Sequence, residues 1–376
     1  FYDYSRLGET WSAPRIFRLP TKGRNDTDLA DDKYVAVMGA GFGVQHEGTG
    51  SGMFVIDLED TINPGKIEKF IEINDTVESD IVNSVPASPI VITPDTTRGL
   101  NFRGALVYTN DFEGKITKIN LTNMPYDSTD PKTKKEINLY DTTTLFTAGS
   151  TSTNGRYMYH SMDASIGESS NALWLYAGTG DYDRIADRSP GVENFLLGIK
   201  DEDYPFYKNN SGKKINDITE CADVTKENSA CPDRAKKGWY VVLKDFRKVT
   251  AEPTVGAGLV YFPVYKPSSS VNACTLGDAT ICGLDDECGN NISSEMGVNE
   301  GKQKNYPCKY VGQGVLSKII LFGDKAYANI AGTVDCDALY TDVQDIDDCE
   351  KKKDLVQIGA AVGEVSTFRS SWRHNY

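Results

Sequence analysis

Four groups of residues in this 376-residue chain are of types that do chemistry: a glycine run, three histidines, eight cysteines and several acidic clusters. Gly39-Ala-Gly-Phe-Gly43 has the outline of a phosphate-cradling turn. A dinucleotide fingerprint needs its third glycine one position later, with a helix opening on it. Gln45-His-Glu-Gly-Thr-Gly50 follows instead and cannot open a stable helix, so the run reads as a turn or loop lining. The histidines are His46, His160 and His374. No G-x-S-x-G elbow frames a nucleophile for any of them, so each reads as a loop or surface residue.

The cysteines are Cys221, Cys231, Cys274, Cys282, Cys288, Cys308, Cys336 and Cys349, all in the C-terminal half, in segments rich in Gly, Asp, Asn and Ser. A zinc site wants two cysteines separated by about two to four residues. The closest approach here, Cys282 to Cys288, is wider. An even number in loops points to disulfides formed outside a reducing cytoplasm. The simplest scheme pairs neighbours: 221–231, 274–282, 288–308 and 336–349. Acidic runs lie beside cysteines at Asp285-Asp286-Glu287 and at Asp342, Asp345, Asp347 and Asp348. Calcium takes about six to eight oxygens, several of them charged, and neither run has the spacing of an EF-hand loop. Both read first as solvated acidic loops held by disulfides, with calcium at Asp285, Asp286, Asp345 and Asp347 as the alternative.

The elements that must position these groups are strands. Alternating apolar and polar segments occur at Tyr34–Met38, Met53–Leu58, Ala105–Tyr108, Lys115–Leu121, Leu173–Ala177, Phe195–Ile199, Trp239–Leu243, Leu259–Tyr265, Ile319–Phe322, Lys325–Ile330 and Leu355–Ile358. No long window keeps helical spacing. Tyr (20 residues) outnumbers Phe (14), and Gly is abundant (34), as suits strands and turns. Val107–Leu121 shows the unit most plainly: an alternating strand, an acidic turn closing on Gly114, and a second alternating strand. Variants of it begin about 70 residues apart, and about 85 apart across the cysteine-bearing stretch, a loose repeat of the kind that builds propellers. The four tryptophans (Trp11, Trp174, Trp239 and Trp372) fall in strand-like positions, where core packing accounts for them.

Composition narrows the partners. The formal net charge is −14, which disfavours nucleic acid or an anionic membrane. No run of about eighteen apolar residues exists to span a bilayer as a helix. The chain opens on Phe1-Tyr2-Asp3-Tyr4, with neither Met nor a signal sequence, and reads as a mature or cropped product.

The order of the short motifs carries a resemblance. Gly8-Glu-Thr-Trp-Ser-Ala-Pro14, Val35-Ala-Val-Met-Gly-Ala-Gly-Phe42, Ser88-Pro-Ile90 leading to Tyr108-Thr-Asn-Asp111, Tyr176-Ala-Gly-Thr-Gly-Asp-Tyr182, Gly238-Trp-Tyr240 and Ser371-Trp-Arg373 follow one another from end to end. In this order the chain resembles the C-terminal β-propeller domain of the PilC/PilY family of type IV pilus tip-associated proteins. The resemblance implies an all-β, degenerate quinoprotein-like propeller of about seven blades, with disulfide-bearing loop insertions. It implies one propeller domain over residues 1–376, the C-terminal part of a larger protein whose N-terminal adhesive region is absent. It further implies a place outside the cell at the pilus tip, docking on minor pilins, contact with host or abiotic surface ligands, roles in adhesion, surface sensing and pilus extension and retraction, and no enzymatic site.

Members of that family often carry a calcium loop before the strand that corresponds to Ala105–Tyr108. Here the span retains Asp95 as a carboxylate and Asn101 as an amide, with Arg98 and Arg103 opposing a cation. No cofactor is required, and Ca2+ at Asp95 and Asn101 is the degenerate alternative. Two other functions compete: a propeller that binds carbohydrate or a surface directly, and a quinoprotein-like dehydrogenase. Closure of the ring predicts that Trp11–Leu19 pairs with strands near Leu355–Trp372.

Overall fold

In a computed structural model, the described residues are 2–20, 29–43, 49–73, 82–93, 104–122, 138–208, 212–220, 237–270, 275–291, 296, 298 and 308–360. Their alternating segments pair as antiparallel meanders. Sheet 1 is β1 (Arg15–Leu19), β2 (Lys33–Gly39), β3 (Gly52–Asp57) and β4 (Ile67–Glu72), in that order. Sheet 2 repeats the arrangement with β5 (Ile90–Ile92), β6 (Gly104–Asn110), β7 (Lys115–Thr122) and β8 (Thr142–Thr147). Sheet 3 begins with β9 (Asp163–Ile166), β10 (Leu173–Gly178) and β11 (Asn194–Asp201).

The chain then makes an excursion before completing sheet 3. Two short strands, β12 (Lys213–Lys214) and β13 (Thr219–Glu220), add in parallel to β8 of sheet 2 and to β14 (Gly238–Leu243) of sheet 3. One insertion thus ties the outer edges of two sheets. The first strand of sheet 4 is interrupted: β15 (Lys248–Val249) and β16 (Thr254–Gly256) both pair with β17 (Leu259–Lys266). Next come β18 (Asp278–Asp285), β19 (Lys309–Leu316), β20 (Ile320–Phe322) and β21 (Lys325–Val334). Helices α1 (Cys336–Leu339) and α2 (Val343–Glu350) precede β22 (Leu355–Gly359). The ten-residue β21 pairs with β19 at one end and with β20 and β22 at the other, which fuses two blade-like units into one sheet. About seven blades are expected; among the described residues there are four sheets, the last of them double.

Each sheet packs face to face on the next through apolar side chains. Phe17, Val35 and Val37 of sheet 1 meet Ala105, Val107 and Ile119 of sheet 2. Leu106, Tyr108 and Phe146 on the other face of sheet 2 meet Leu175, Leu197 and Ile199 of sheet 3. The third core joins Trp174, Tyr176 and Trp239 to Val260, Phe262 and Cys282, and the fourth joins Tyr261 and Ile281 to Ala328, Ile330 and Val356. Trp239 is fully buried because two glycines make room for its indole. A Cβ at Gly198 or Gly289 would stand 2.3 or 2.6 Å from that ring. Trp174 is buried as well, but Trp11 is exposed, contrary to the core role expected for it.

Every strand-like segment read from the sequence coincides with a strand to within one residue, and three expectations are corrected. Among the described residues β1 pairs with β2, and β22 pairs with β21; the closure expected between Trp11–Leu19 and the C-terminal span falls largely beyond them. Residues 361–376 lie outside the described residues. The neighbour scheme for the disulfides fails at its centre, because Cys282 bonds Cys308. Cys288 is itself in a disulfide, and Cys221, Cys231 and Cys274 lie outside the described residues. Pairing of 336 with 349 is as expected.

The cysteine-bearing stretch is also not all loop. Cys282 is buried within β18, where a small apolar side chain fits a packed face, and Cys308 stands beside it at the start of β19. Finally, Asp342–Asp348 is a helix rather than a loop. Asp342 is its N-cap, accepting from the N–H groups of Gln344 and Asp345, and Asp345 sits in the first turn, where the helix dipole favours an anion.

Candidate functional site

In sheets 1 to 3, the turns between the second and third strands lie against the connections that lead into the next sheet. The first turn is held by a bridge between Gly41 and Val85. In the second, the side-chain amide of Asn110 donates to the carbonyls of Met158 and His160, at 3.1 and 3.0 Å. In the third, Asn194 donates to the Arg247 carbonyl at 2.9 Å. The pieces come from distant parts of the chain, and together they build one rim.

The second turn is the most elaborate. Its sequence, Asp111-Phe112-Glu113-Gly114, closes through a hydrogen bond from the Gly114 N–H to the Asp111 carbonyl, with Gly114 at φ +68°. All four residues are buried, and so is Lys115. The Asp111 carboxylate accepts from the Lys115 N–H at 3.0 Å and from the Asn83 amide at 3.1 Å. The Lys115 ammonium lies 3.5 Å from Asp111 and is hydrogen-bonded to Glu113. Burial pushes the Asp111 carboxyl up to about 6, although Lys115 opposes the shift. Burial also works against the Lys115 charge, but Asp111 and Glu113 together hold it above its ordinary value. The two directions have different origins: burial, with a smaller push from the neighbouring Glu113, makes Asp111 bind a proton readily, while the two carboxylates together keep the ammonium charged.

Aromatic rings line the same rim. Phe42 from the first turn lies 5.2 Å from Phe112, and Phe112 lies 4.3 Å from Tyr159 and 5.6 Å from Tyr157. Tyr182 from the third turn approaches both Tyr159, at 6.4 Å, and His160, at 5.2 Å edge-on. The series runs from buried rings to Tyr182, which is 40% exposed. Beside it, Asp181 accepts from the Tyr159 hydroxyl at 3.3 Å and from the Arg184 guanidinium at 2.6 Å. Burial pushes the His160 imidazole down to about 4, so it is neutral at physiological pH. Burial likewise lowers the Lys248 ammonium, to about 8; it donates to the Asp187 and Phe246 carbonyls. Away from the rim, Lys118 and Tyr108 both donate to Asp201, at 2.6 and 2.8 Å, in a buried link between sheets 2 and 3.

Of the residues singled out from the sequence, His160 lies on the rim, and the described acidic candidates do not. Asp95, Asn101, His46 and His374 fall outside the described residues. Asp285 caps a turn, accepting from the Glu287 and Cys288 N–H groups, while Glu287 accepts from Ser169 and Ser170 of sheet 3. Asp286 is buried, which pushes its carboxyl up to about 6, and its backbone carbonyl accepts from the Trp239 indole. The Glu287 carboxylate and the Asp286 carbonyl fasten sheet 4 to sheet 3. Asp345 and Asp347 lie in α2, and among the described residues no group of three or more His, Cys, Asp or Glu side chains is placed to hold a metal ion. The Gly39–Gly43 run is a close approach of backbones, since a Cβ at Gly39 would stand 2.3 Å from the Val85 carbonyl oxygen.

The rim was missed because its members are separated by tens of residues. Its one local signal was the acidic turn closing on Gly114.

No protein-family model matches the chain, and no curated protein matches it. Among solved structures, the C-terminal domain of Pseudomonas aeruginosa PilY1 matches with a TM-score of 0.55 and 14% identity, over 88% of this chain and 72% of that one. The chain has the fold of the PilY1 C-terminal domain. It is therefore a β-propeller, as the order of its motifs implied. An exo-1,5-alpha-L-arabinanase from a bovine ruminal metagenomic library is matched at a TM-score of 0.30 and 10% identity, over 93% of this chain and 94% of that one. A score that low bears on neither fold nor activity.

Proposed function

We propose that this chain is a type IV pilus-associated propeller, a binding and assembly module with no catalytic role of its own. The observation that carries the reading is the PilY1-type fold over 88% of the chain. The buried charges fit a scaffold: Asp111, Glu113 and Lys115 engage one another within the rim, and Lys118 engages Asp201. On this reading the propeller sits outside the cell at the pilus tip, docks on minor pilins, and supports adhesion, surface sensing and pilus extension and retraction.

Co-expression with minor pilins, followed by affinity capture of the propeller, tests the proposal. A stoichiometric complex is expected; a propeller that never retains a pilin overturns it. The row of rings ending at Tyr182 favours one second reading, direct binding of a carbohydrate or surface ligand, because an exposed ring beside polar groups suits sugar stacking. Glycan binding abolished by Tyr182→Ala, in a protein that ignores pilins, would select that reading.

A further inference from the structure

We propose that Lys118 and Asp201 condense to an isopeptide bond, a covalent crosslink that the chain makes for itself between sheets 2 and 3. The proposal rests on the packing of these two sheets and is independent of the pilus reading.

Two lysines among the described residues are buried together with carboxylates. Lys115 lies between Asp111 and Glu113 of its own hairpin, 3.5 Å from the first. A bond there would join residues that the turn already holds together. The Lys118 ammonium instead lies 2.6 Å from Asp201, which is 83 positions further along the chain and in another sheet. Both side chains are only 1% exposed.

Strand register brings the pair together. Lys118 on β7 stands directly opposite Tyr108 on β6, so both side chains leave sheet 2 on the face that packs on sheet 3. Asp201 closes β11 two residues after Ile199, and alternation sends it into the same core. That core also holds Leu106, Leu173 and Tyr207.

A buried ammonium and carboxylate have lost the water that favours their charged forms. Passing one proton along the 2.6 Å hydrogen bond leaves a neutral amine against a carboxyl group. The nitrogen lone pair then forms a bond to Cγ of Asp201, and the bond from Cγ to Oδ2 breaks. Of the three ammonium protons, one stays on nitrogen and two leave with Oδ2 as water. The charges cancel, and the step consumes no oxidant, reductant or second reactant. Holding both groups in contact replaces a bimolecular encounter with a unimolecular step.

Three neighbouring groups suit this step and its product. The Tyr108 hydroxyl donates to Oδ2 at 2.8 Å and stabilises the negative charge that gathers there in the tetrahedral intermediate. Burial, aided by Asp201, keeps that hydroxyl protonated well above the ordinary tyrosine range. After condensation, the remaining N–H has an acceptor in the Phe206 carbonyl, 2.7 Å from Nζ. The retained oxygen, Oδ1, accepts from the Asp203 N–H at 3.1 Å. The product is thus a neutral buried amide with partners for both its polar atoms, in place of a buried pair of charges.

Intact-mass spectrometry of the denatured, fully reduced 376-residue chain tests the proposal. The expected mass is lower than that of the sequence by one water, and digestion should yield a branched peptide joining Lys118 to Asp201. A mass equal to that of the sequence overturns the proposal, and so does a loss of water mapped to any other site. Lys118→Arg keeps a cation beside Asp201 but offers no amine to condense. It should fold and regain the full mass, and a branched peptide that persists at Asp201 refutes the assignment. Tyr108→Phe keeps the ring and removes the donor. Loss of water in freshly synthesised protein should then slow by about a hundredfold, and an unchanged rate overturns the part given to Tyr108.

Discussion

Two acidic runs of similar composition have opposite fates. Asp111-Phe-Glu-Gly-Lys115 is buried in the rim, with its charges facing one another. Asp342–Asp348 lies on an exposed helix, where Asp342 caps the N-terminus and Asp348 pairs with Lys351 in solvent. The difference is dielectric. A buried carboxylate without its cation is strongly destabilising, whereas an exposed one is screened by water and salt. The same residue types therefore make a cooperative clasp in one place and a helix cap in the other.

The contrast can be broken by mutation. Lys115→Ala leaves Asp111 and Glu113 buried without their ammonium and should destabilise the fold by about 3–5 kcal/mol in urea denaturation. A loss comparable to that of Lys351→Ala, which should be undetectable, would show that the rim charges are effectively solvated. In the C-terminal region it is covalent linkage, not charge, that should matter most. The Cys336–Cys349 bond closes a short loop that ties α1 to α2, and replacing both cysteines by alanine should cost about 3 kcal/mol.

The pH dependence sharpens the comparison further. Folding raises the Asp111 carboxyl to about 6, so the folded rim binds its proton more tightly than the unfolded chain does. That contribution is full below about pH 4 and is lost as pH rises through about 6, an effect on the order of 3 kcal/mol. Asp111→Asn should flatten this segment of the stability–pH curve, and a curve unaltered by the substitution would remove Asp111 as its source. The smallest measurable effect is expected at the exposed helix, where Asp342→Ala removes the cap for about 1 kcal/mol, read as a small drop in thermal midpoint.

Much of the fold was legible because a strand facing a core on one side must alternate, and alternation is a local property. Tyr34–Met38, Lys115–Leu121 and Leu259–Tyr265 could each be read from their own residues. Strands β18 and β19 were not, because Cys282, Gly283 and the glycines of β19 resemble loop composition. Helix α2 was missed for a related reason. Its stability comes from the Asp342 cap and the Cys349 tether rather than from an apolar stripe, and Cys349 is its one buried residue.

By itself, the sequence determined that the chain is built of strands joined by glycine-bearing turns, repeated in a fixed order. Those features depend on neighbours two to four residues apart. Tertiary structure alone decided that Cys282 meets Cys308, that Asn110 reaches Met158 and His160, that Asp111 is buried beside Lys115, and that Ile16 and Phe322 face outward. Each of these depends on which distant segments the stacking of sheets brings together, and burial then sets the charge state and strength of whatever meets there.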